Sequence, residues 1–175
     1  MKIFTTQTQG LVDKLAQYEE DLEDAARVIA QSIISDGKIF WYGEHELKGV
    51  VSQACVGEDK WKGSLRADEE TTFSKMDTFI VATRNLSGAV ISSLIERASE
   101  VGANVIAIYS NKESVKEFNL FEKVDFSFCT GVVHGLVPME SGQKIGRPHL
   151  LVALQLYYQL YFSVMEILEE HDELD

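Results

Sequence analysis

The chain has 175 residues, 45% hydrophobic and 25% charged, which is the composition of an ordinary globular domain able to bury a core without disulfides or metal. Its 28 acidic and 16 basic residues give a formal charge of −12. That charge repels nucleic-acid phosphates and anionic lipids, so we expect neither nucleic acid nor membrane as a partner. Residues 1–8 lack the pattern of a signal peptide, and we expect a cytoplasmic protein.

The N-terminal third predicts one long helix followed by a first strand. Apolar residues recur every three or four positions over residues 11–33, and the segment ends at Asp36 and Gly37. The short apolar run 38–42 predicts the first strand, which ends at Gly43. Residues 44–55 predict a modest helix, and residues 56–74 an irregular stretch with one short edge strand near residues 61–65.

The middle of the chain predicts a βαβ unit. Residues 78–83 form a predicted strand, residues 87–101 a helix that Gly102 ends, and residues 104–109 another strand. The short connections imply parallel strands and a right-handed crossover. Residues 114–121 predict a helical turn, and residues 124–128 the last strand.

The C-terminal part combines a Gly-rich connection with an apolar helix. A loop as long as residues 130–148 is either functional or disordered. Residues 150–165 are apolar nearly all round but shorter than the ~20 residues of a membrane span, which indicates a buried core or interface helix. Because one sheet cannot cover such a helix, we expect part of it to contact a second subunit in a homodimer.

These elements predict a three-layer α/β/α sandwich with a doubly wound, mainly parallel sheet. We expect one domain, made of an N-terminal helix (1–36), a sheet core (37–130), the Gly-rich loop (131–148) and a C-terminal helix (149–171). Cys55 and Cys129 lie in apolar surroundings without Cys-x-x-Cys spacing, so we interpret them as reduced core residues. We expect no metal and no cofactor, since adjacent Glu44 and His45 point in different directions.

The predicted ligand site lies in the loops after the strands, because open parallel sheets bind ligands beyond the carboxyl ends of their strands. Residues 83–89 are the richest loop, with hydroxyls, an amide, a guanidinium and a glycine before a helix whose free N–H groups attract anions. The alternative interpretation is that Ser87 is an ordinary N-cap and Arg84 lies in solvent. The candidate binding residues are Gly43, Glu44, His45, Thr83, Arg84, Asn85, Ser87, Gly88, Ser110 and Asn111.

The order of the elements resembles the sugar isomerase (SIS) domain over residues 6–130. The resemblance rests on a Gly-Lys-Ile-Phe strand ending in Gly, on Phe-Ile-Val-Ala-Thr-Arg-Asn-Leu-Ser-Gly before a helix, and on Gly-Ala-Asn-Val-Ile-Ala-Ile-Tyr-Ser. In that family the loop binds the phosphate of a sugar phosphate. The resemblance therefore places Thr83, Ser87 and Gly88 at the phosphate, with Ser110 beside them. This loop carries about one extra residue, and Ala89 or Val90 stands where the family often has Thr.

Within the family, single-domain chains of this size resemble the oligomeric phosphoheptose isomerases, which implies pockets completed across a dimer. Those enzymes carry His and Glu on the helix after the first strand, where residues 50–55 here read Val-Val-Ser-Gln-Ala-Cys. We therefore expect a module of carbohydrate metabolism that binds a phosphorylated sugar or other carbohydrate derivative. The alternative is an aldose–ketose isomerase with Glu140 and His149 as acid and base.

A third class, a dinucleotide-binding or receiver-type domain of the same architecture, fits the residues poorly. The turn after the first strand lacks Gly-x-Gly-x-x-Gly, and its acidic residues would repel a pyrophosphate. A phospho-acceptor receiver needs an Asp at a strand end, and the predicted strands supply none.

Overall fold

The computed structural model describes residues 1–111 and 118–174 and contains five parallel strands between helical layers. In chain order the strands are β1 (Ile39–Gly43), β2 (Ser64–Arg66), β3 (Thr78–Ala82), β4 (Asn104–Tyr109) and β5 (Phe126–Cys129). Their spatial order is β2-β1-β3-β4-β5. The chain builds outward from β1 in one direction and from β3 in the other, so the switch point lies between these two strands. The predicted doubly wound fold is confirmed.

The helices cover both faces of the sheet. They are α1 (Lys2–Asp13), α2 (Glu19–Ile34), α3 (Lys48–Val56), α4 (Ala89–Glu100), α5 (Phe118–Phe121) and α6 (His149–Leu174). Every residue of β3 is buried: Ile80 and Ala82 share one core with α2, α3 and α6, and Phe79 and Val81 share the other with α4. A strand buried on both faces explains the unbroken apolar run at these positions.

The predicted single opening helix is interrupted, which corrects the expectation from its apolar period. A 3-10 segment, Lys14–Tyr18, separates α1 from α2. In a 3-10 helix, side chains three positions apart eclipse each other, so Leu15 and Tyr18 face the core together. Leu15 is buried, and Tyr18 packs edge-on against Phe128 with ring centroids 5.5 Å apart. These two tertiary contacts fall where the helix changes its period.

Two predicted strands shift by two or three residues. The edge strand β2 begins at Ser64 rather than near residue 61, since Trp61 is buried and stacks on Trp41 at 5.8 Å. The last strand β5 begins at Phe126. Of the predicted helical turn at residues 114–121, α5 accounts for the end, and residues 112–117 lie outside the described residues.

The Gly-rich connection contains a small antiparallel hairpin of β6 (Val137–Pro138) and β7 (Lys144–Ile145). The closing helix α6 is 26 residues long, and its His149–His171 part is long and apolar enough to cross a membrane by length and composition alone, which is weak evidence. Val152, Leu156 and Leu160 are fully buried in the core that α6 shares with α2. One face of α6 therefore belongs to the core of the protein.

Candidate ligand-binding site

The 83–89 turn leaves the carboxyl end of the central strand β3 in a fixed conformation. The Thr83 side chain is buried, and its hydroxyl donates to the Asn85 carbonyl at 2.9 Å. A second oxygen, Oε2 of Glu44, lies 3.4 Å from the same hydroxyl. Glu44 also donates its backbone N–H to Ala82 at 3.2 Å. The loops after β1 and β3 are thus joined at the switch point of the sheet.

The turn ends at Gly88, which is the N-cap residue of α4. Gly88 has φ of 107° and ψ of 150°, a backbone region that is essentially restricted to glycine. The alternative interpretation of Ser87 as the N-cap is wrong, because Gly88 occupies that position and no side chain caps the helix. The first N–H groups of α4 therefore carry no side-chain cap and retain their capacity to bind an anion.

Arg84 is held by Glu46 in a two-point ion pair across the loops. The guanidinium Nε lies 2.9 Å from Oε1 of Glu46, and its Nη2 lies 2.5 Å from Oε2. This hydrogen bond, more than Coulombic attraction, lowers the pKa of Glu46 below its ordinary value, while partial burial opposes the shift. Arg84 does not extend freely into solvent, because Glu46, which is not among the predicted site residues, fixes the position of the guanidinium.

The end of β4 lies directly against the turn. The backbone N–H groups of Ser110 and Asn111 donate to the Arg84 carbonyl at 3.0 and 3.2 Å, and Thr83 donates its N–H to Ile108 at 3.0 Å. Because β3 and β4 are parallel neighbours, their carboxyl ends lie at the same edge of the sheet and their loops can contact each other. The structure therefore brings together the predicted candidates of all three loops.

A buried chain of polar side chains continues from Ser110. Its Oγ lies 2.8 Å from Nδ1 of His149 and accepts from the Thr130 hydroxyl at 3.1 Å. All three residues are at least 94% buried. Burial lowers the pKa of His149, Arg84 and Arg147 shift it the same way, and Glu46 opposes them. Sequence reasoning missed Thr130, although its place after the carboxyl end of β5 is the signal used for the other strands.

The remaining predicted residues have separate roles. A Cβ at Gly43 would lie 2.9 Å from the Leu47 carbonyl oxygen, so this glycine permits the close approach of the next turn. His45 adopts φ of 50° and lines an open groove of about 570 Å³ with Glu46, Arg84 and Arg147.

Glu140 has no hydrogen bond to the predicted turn among the described residues. It is exposed in the loop that joins β6 to β7, and no hydrogen bond or ion pair among the described residues joins it to His149 or to the 83–89 turn. Across residues 1–111 and 118–174, no three His, Cys, Asp or Glu side chains cluster as a metal site.

Known structures share this fold. The chain superposes on a hypothetical protein from Methanococcus jannaschii, for which 3-hexulose-6-phosphate isomerase function is inferred, with a TM-score of 0.65 and 16% identity over 98% of this chain and 90% of that one. It superposes on phosphoheptose isomerase GmhA from Neisseria gonorrhoeae with a TM-score of 0.61 and 12% identity over 90% and 91% of the two chains. The fold is therefore that of the SIS sugar isomerases, as the sequence resemblance predicted.

Sequence comparison defines the family more narrowly. The chain belongs to the family described as Domain of unknown function (DUF2529), which matches residues 1–168. It is also 31% identical over 175 residues to the uncharacterized protein YwjG of Bacillus subtilis (strain 168), covering 98% of this chain and 99% of that protein.

Proposed function

We propose that the chain binds a phosphorylated sugar with its phosphate on the 83–89 turn. The observation that carries the proposal is the uncapped N-terminus of α4 behind Gly88, at the carboxyl end of the central strand. Backbone N–H groups and the helix dipole at such a position stabilise a bound anion. The SIS fold of the structural neighbours, two of them connected with sugar-phosphate isomerases, supports phosphate on a sugar as that anion.

The charges near the turn permit an anion to bind there, although the whole chain has a formal net charge of −12. Arg84 lies at the turn, but Glu46 already neutralises its guanidinium. A phosphate on the turn competes with that carboxylate for Arg84, and charge-assisted bonds from a guanidinium are among the stronger hydrogen bonds in proteins. The turn therefore works as an anion site in which Glu46 sets part of the affinity.

We also propose that the protein is a cytoplasmic homodimer whose partner surface includes α6. Leu151 and Phe162 are 53% and 59% exposed, and their spacing of eleven positions, about three helical turns, places them on one face. Substituting Leu151 with Lys introduces a charge into that face and is expected to convert the dimer to monomer in sedimentation velocity at micromolar concentration. An exposed substitution elsewhere, Lys2→Glu, serves as the control. A wild-type monomer under those conditions would remove this proposal.

Binding is tested by a thermal-shift screen of pentose, hexose and heptose phosphates, beside their unphosphorylated sugars. A ligand of the native state raises the melting temperature with concentration. Ser87→Trp fills the turn and is expected to weaken the response at least 100-fold. The matched control is Ser141→Trp, since Ser141 is exposed in the β6–β7 loop. An unchanged response in the Ser87 variant would place the phosphate elsewhere.

A second candidate, aldose–ketose isomerisation, is favoured by the buried Thr130–Ser110–His149 chain. We infer that Ser110 Oγ accepts both from the Thr130 hydroxyl and from Nδ1–H of His149, which leaves Nε2 of the neutral imidazole unprotonated and able to accept a proton. In this reaction a base moves a proton from C2 of the aldose to C1 through an enediol, while an acid protonates O1 and its conjugate base takes the proton of the O2 hydroxyl. His149 is the proposed base, and Glu140 remains the proposed acid partner only if the β6–β7 hairpin carries it to the sugar.

This candidate is tested with each sugar phosphate that the screen identifies, incubated in D₂O. Isomerisation through an enediol incorporates deuterium next to the carbonyl, which proton NMR detects as loss of a signal. We expect His149→Gln to abolish any incorporation and Glu140→Gln to reduce it. Binding without incorporation in the wild type identifies a binding module.

A further inference from the structure

A second cavity of about 320 Å³ lies between the 3-10 segment Lys14–Tyr18 and the carboxyl ends of β4 and β5. We call it the N-terminal cleft. Among the residues that the structure describes, its walls combine one cation, several hydroxyls and amides, and a small apolar surface. They are formed by Leu11, Lys14, Gln17, Tyr18, Ser110, Asn111, Cys129, Thr130, Gly131 and Val133. The volume is at the lower end of ligand pockets, which suits one small molecule.

The floor of the N-terminal cleft is polar and rigid. Ser110 and Thr130 are 99% and 98% buried, and their hydroxyls are bonded to each other at 3.1 Å. The Tyr18 hydroxyl accepts from the Cys129 N–H at 3.1 Å, which fixes the opposite wall. Hydroxyls that remain in place on a rigid scaffold position a ligand at little entropic cost. Leu11 and Val133 supply the apolar surface against which a carbon skeleton can pack.

Lys14 is the cation that lines this cleft, and within the part of the chain that the structure describes it joins no ion pair. It also lines a neighbouring cavity of about 350 Å³ with His134 and Gln7. Its ammonium is therefore available to an anionic group placed beside the fixed hydroxyls.

The break in the N-terminal helix falls at this cleft. The apolar period of residues 11–33 is that of a continuous helix, yet the 3-10 segment turns Lys14, Gln17 and Tyr18 toward the strand ends. A 3-10 stretch within an otherwise α-helical segment often marks a functional position. The 3-10 segment has weaker backbone hydrogen bonds than an α-helix, and the same segment forms the polar wall of the cleft.

We propose that the N-terminal cleft binds a small hydroxylated anion of about monosaccharide size, with its carboxylate or phosphate at Lys14 and its hydroxyls at Ser110 and Thr130. The proposed site shares Ser110 and Asn111 with the strand end that contacts the 83–89 turn, but its charged contact is Lys14 rather than the turn. Since Ser110 also bonds to His149, a ligand at Ser110 contacts the buried polar side chains through that hydroxyl.

The test uses isothermal titration of the full chain with gluconate and ribose 5-phosphate as anionic probes and ribose as the neutral probe. We expect at least one anionic probe to bind ten times more tightly than ribose. Lys14→Gln is expected to weaken that binding at least tenfold, because it removes the charge and keeps a polar side chain. The matched control, Lys2→Gln on exposed α1, is expected to leave it unchanged. Equal affinities for Lys14→Gln and Lys2→Gln, or no anionic binding, would overturn the proposal.

Ser87→Trp separates this site from the turn. Gluconate carries no phosphate, and we expect its affinity to be the same in the wild type and in Ser87→Trp. If both anionic probes lose their binding in that variant, they bind at the turn and the cleft proposal fails. Lys14 is exposed, so the folded state of its variant is expected to be unaltered, which circular dichroism and the melting temperature verify.

Discussion

The two ends of the ligand edge of the sheet differ in charge and in burial. At the β1–β3 end, the 83–89 turn is largely exposed and carries the Arg84–Glu46 ion pair, whose side chains are 45% and 31% exposed. At the β4–β5 end, Ser110, Thr130 and His149 are buried and bear no formal charge when the imidazole is neutral. One sheet thus offers a charged, wet surface at one end and a neutral, dry hydrogen-bond chain at the other.

Under the proposed function, this difference divides tasks along the edge. The exposed guanidinium and the uncapped helix N–H groups would bind the anion in contact with water, where solvent weakens each contact. Buried hydroxyls and an imidazole interact more strongly in a low dielectric but cost free energy when any partner is missing. Changes at the buried end are therefore expected to affect stability most, and changes at the exposed end to affect ligand affinity.

The largest effect on stability is expected for Ser110→Ala, which breaks the buried chain in the middle. The change leaves the Thr130 hydroxyl and Nδ1 of His149 without their partner, and a buried unsatisfied polar group costs about 1–3 kcal/mol. Urea unfolding measures the loss. The control is Ser93→Ala on the exposed face of α4, for which we expect a change within about 0.5 kcal/mol. Equal losses of unfolding free energy in the two variants would show that the Thr130–Ser110–His149 hydrogen bonds contribute nothing to stability.

The next effect is a pH dependence that only the buried end should show. Because burial lowers the pKa of His149 in the folded state, the unfolded chain binds the proton more readily. Folding stability therefore falls as the pH drops through the unfolded pKa, near 6.5, by at most about 1.4 kcal/mol per pH unit for one proton. His149→Gln should flatten the profile of unfolding free energy between pH 7.5 and 5.5. His134→Gln, at an exposed loop position, should retain it.

The smallest effect on stability is expected at the exposed end, for Glu46→Gln. Surface ion pairs contribute about 0–1 kcal/mol, so unfolding by urea should change little. The same substitution releases Arg84 and removes a negative charge next to the turn, and we expect affinity for a sugar phosphate to rise about three- to tenfold. Glu69→Gln is the control, since Glu69 is exposed and joins no ion pair among the described residues. Weaker binding in Glu46→Gln would show that Glu46 orients Arg84 for the ligand rather than competing with it.

The positions of the candidate residues show which contacts a local sequence pattern can predict. Thr83, Ser110 and Asn111 follow apolar strands, and parallel pairing alone predicts that their loops meet. The bonds from Ser110 and Asn111 to the Arg84 carbonyl agree with that prediction. The ion pair of Arg84 with Glu46 was not predictable, since it joins residues 38 positions apart whose rotamers depend on the finished loops.

The sequence by itself determined the fold class, because apolar periodicity and short turns identify parallel strands with crossover helices, and its motifs carried the resemblance to the SIS family. The tertiary structure alone decided the break at Lys14–Tyr18, the N-cap at Gly88 and the buried partners of His149. Those features depend on contacts between distant segments, such as Tyr18 against Phe128. Local propensity does not encode such contacts, because packing outweighs it wherever two elements share a core.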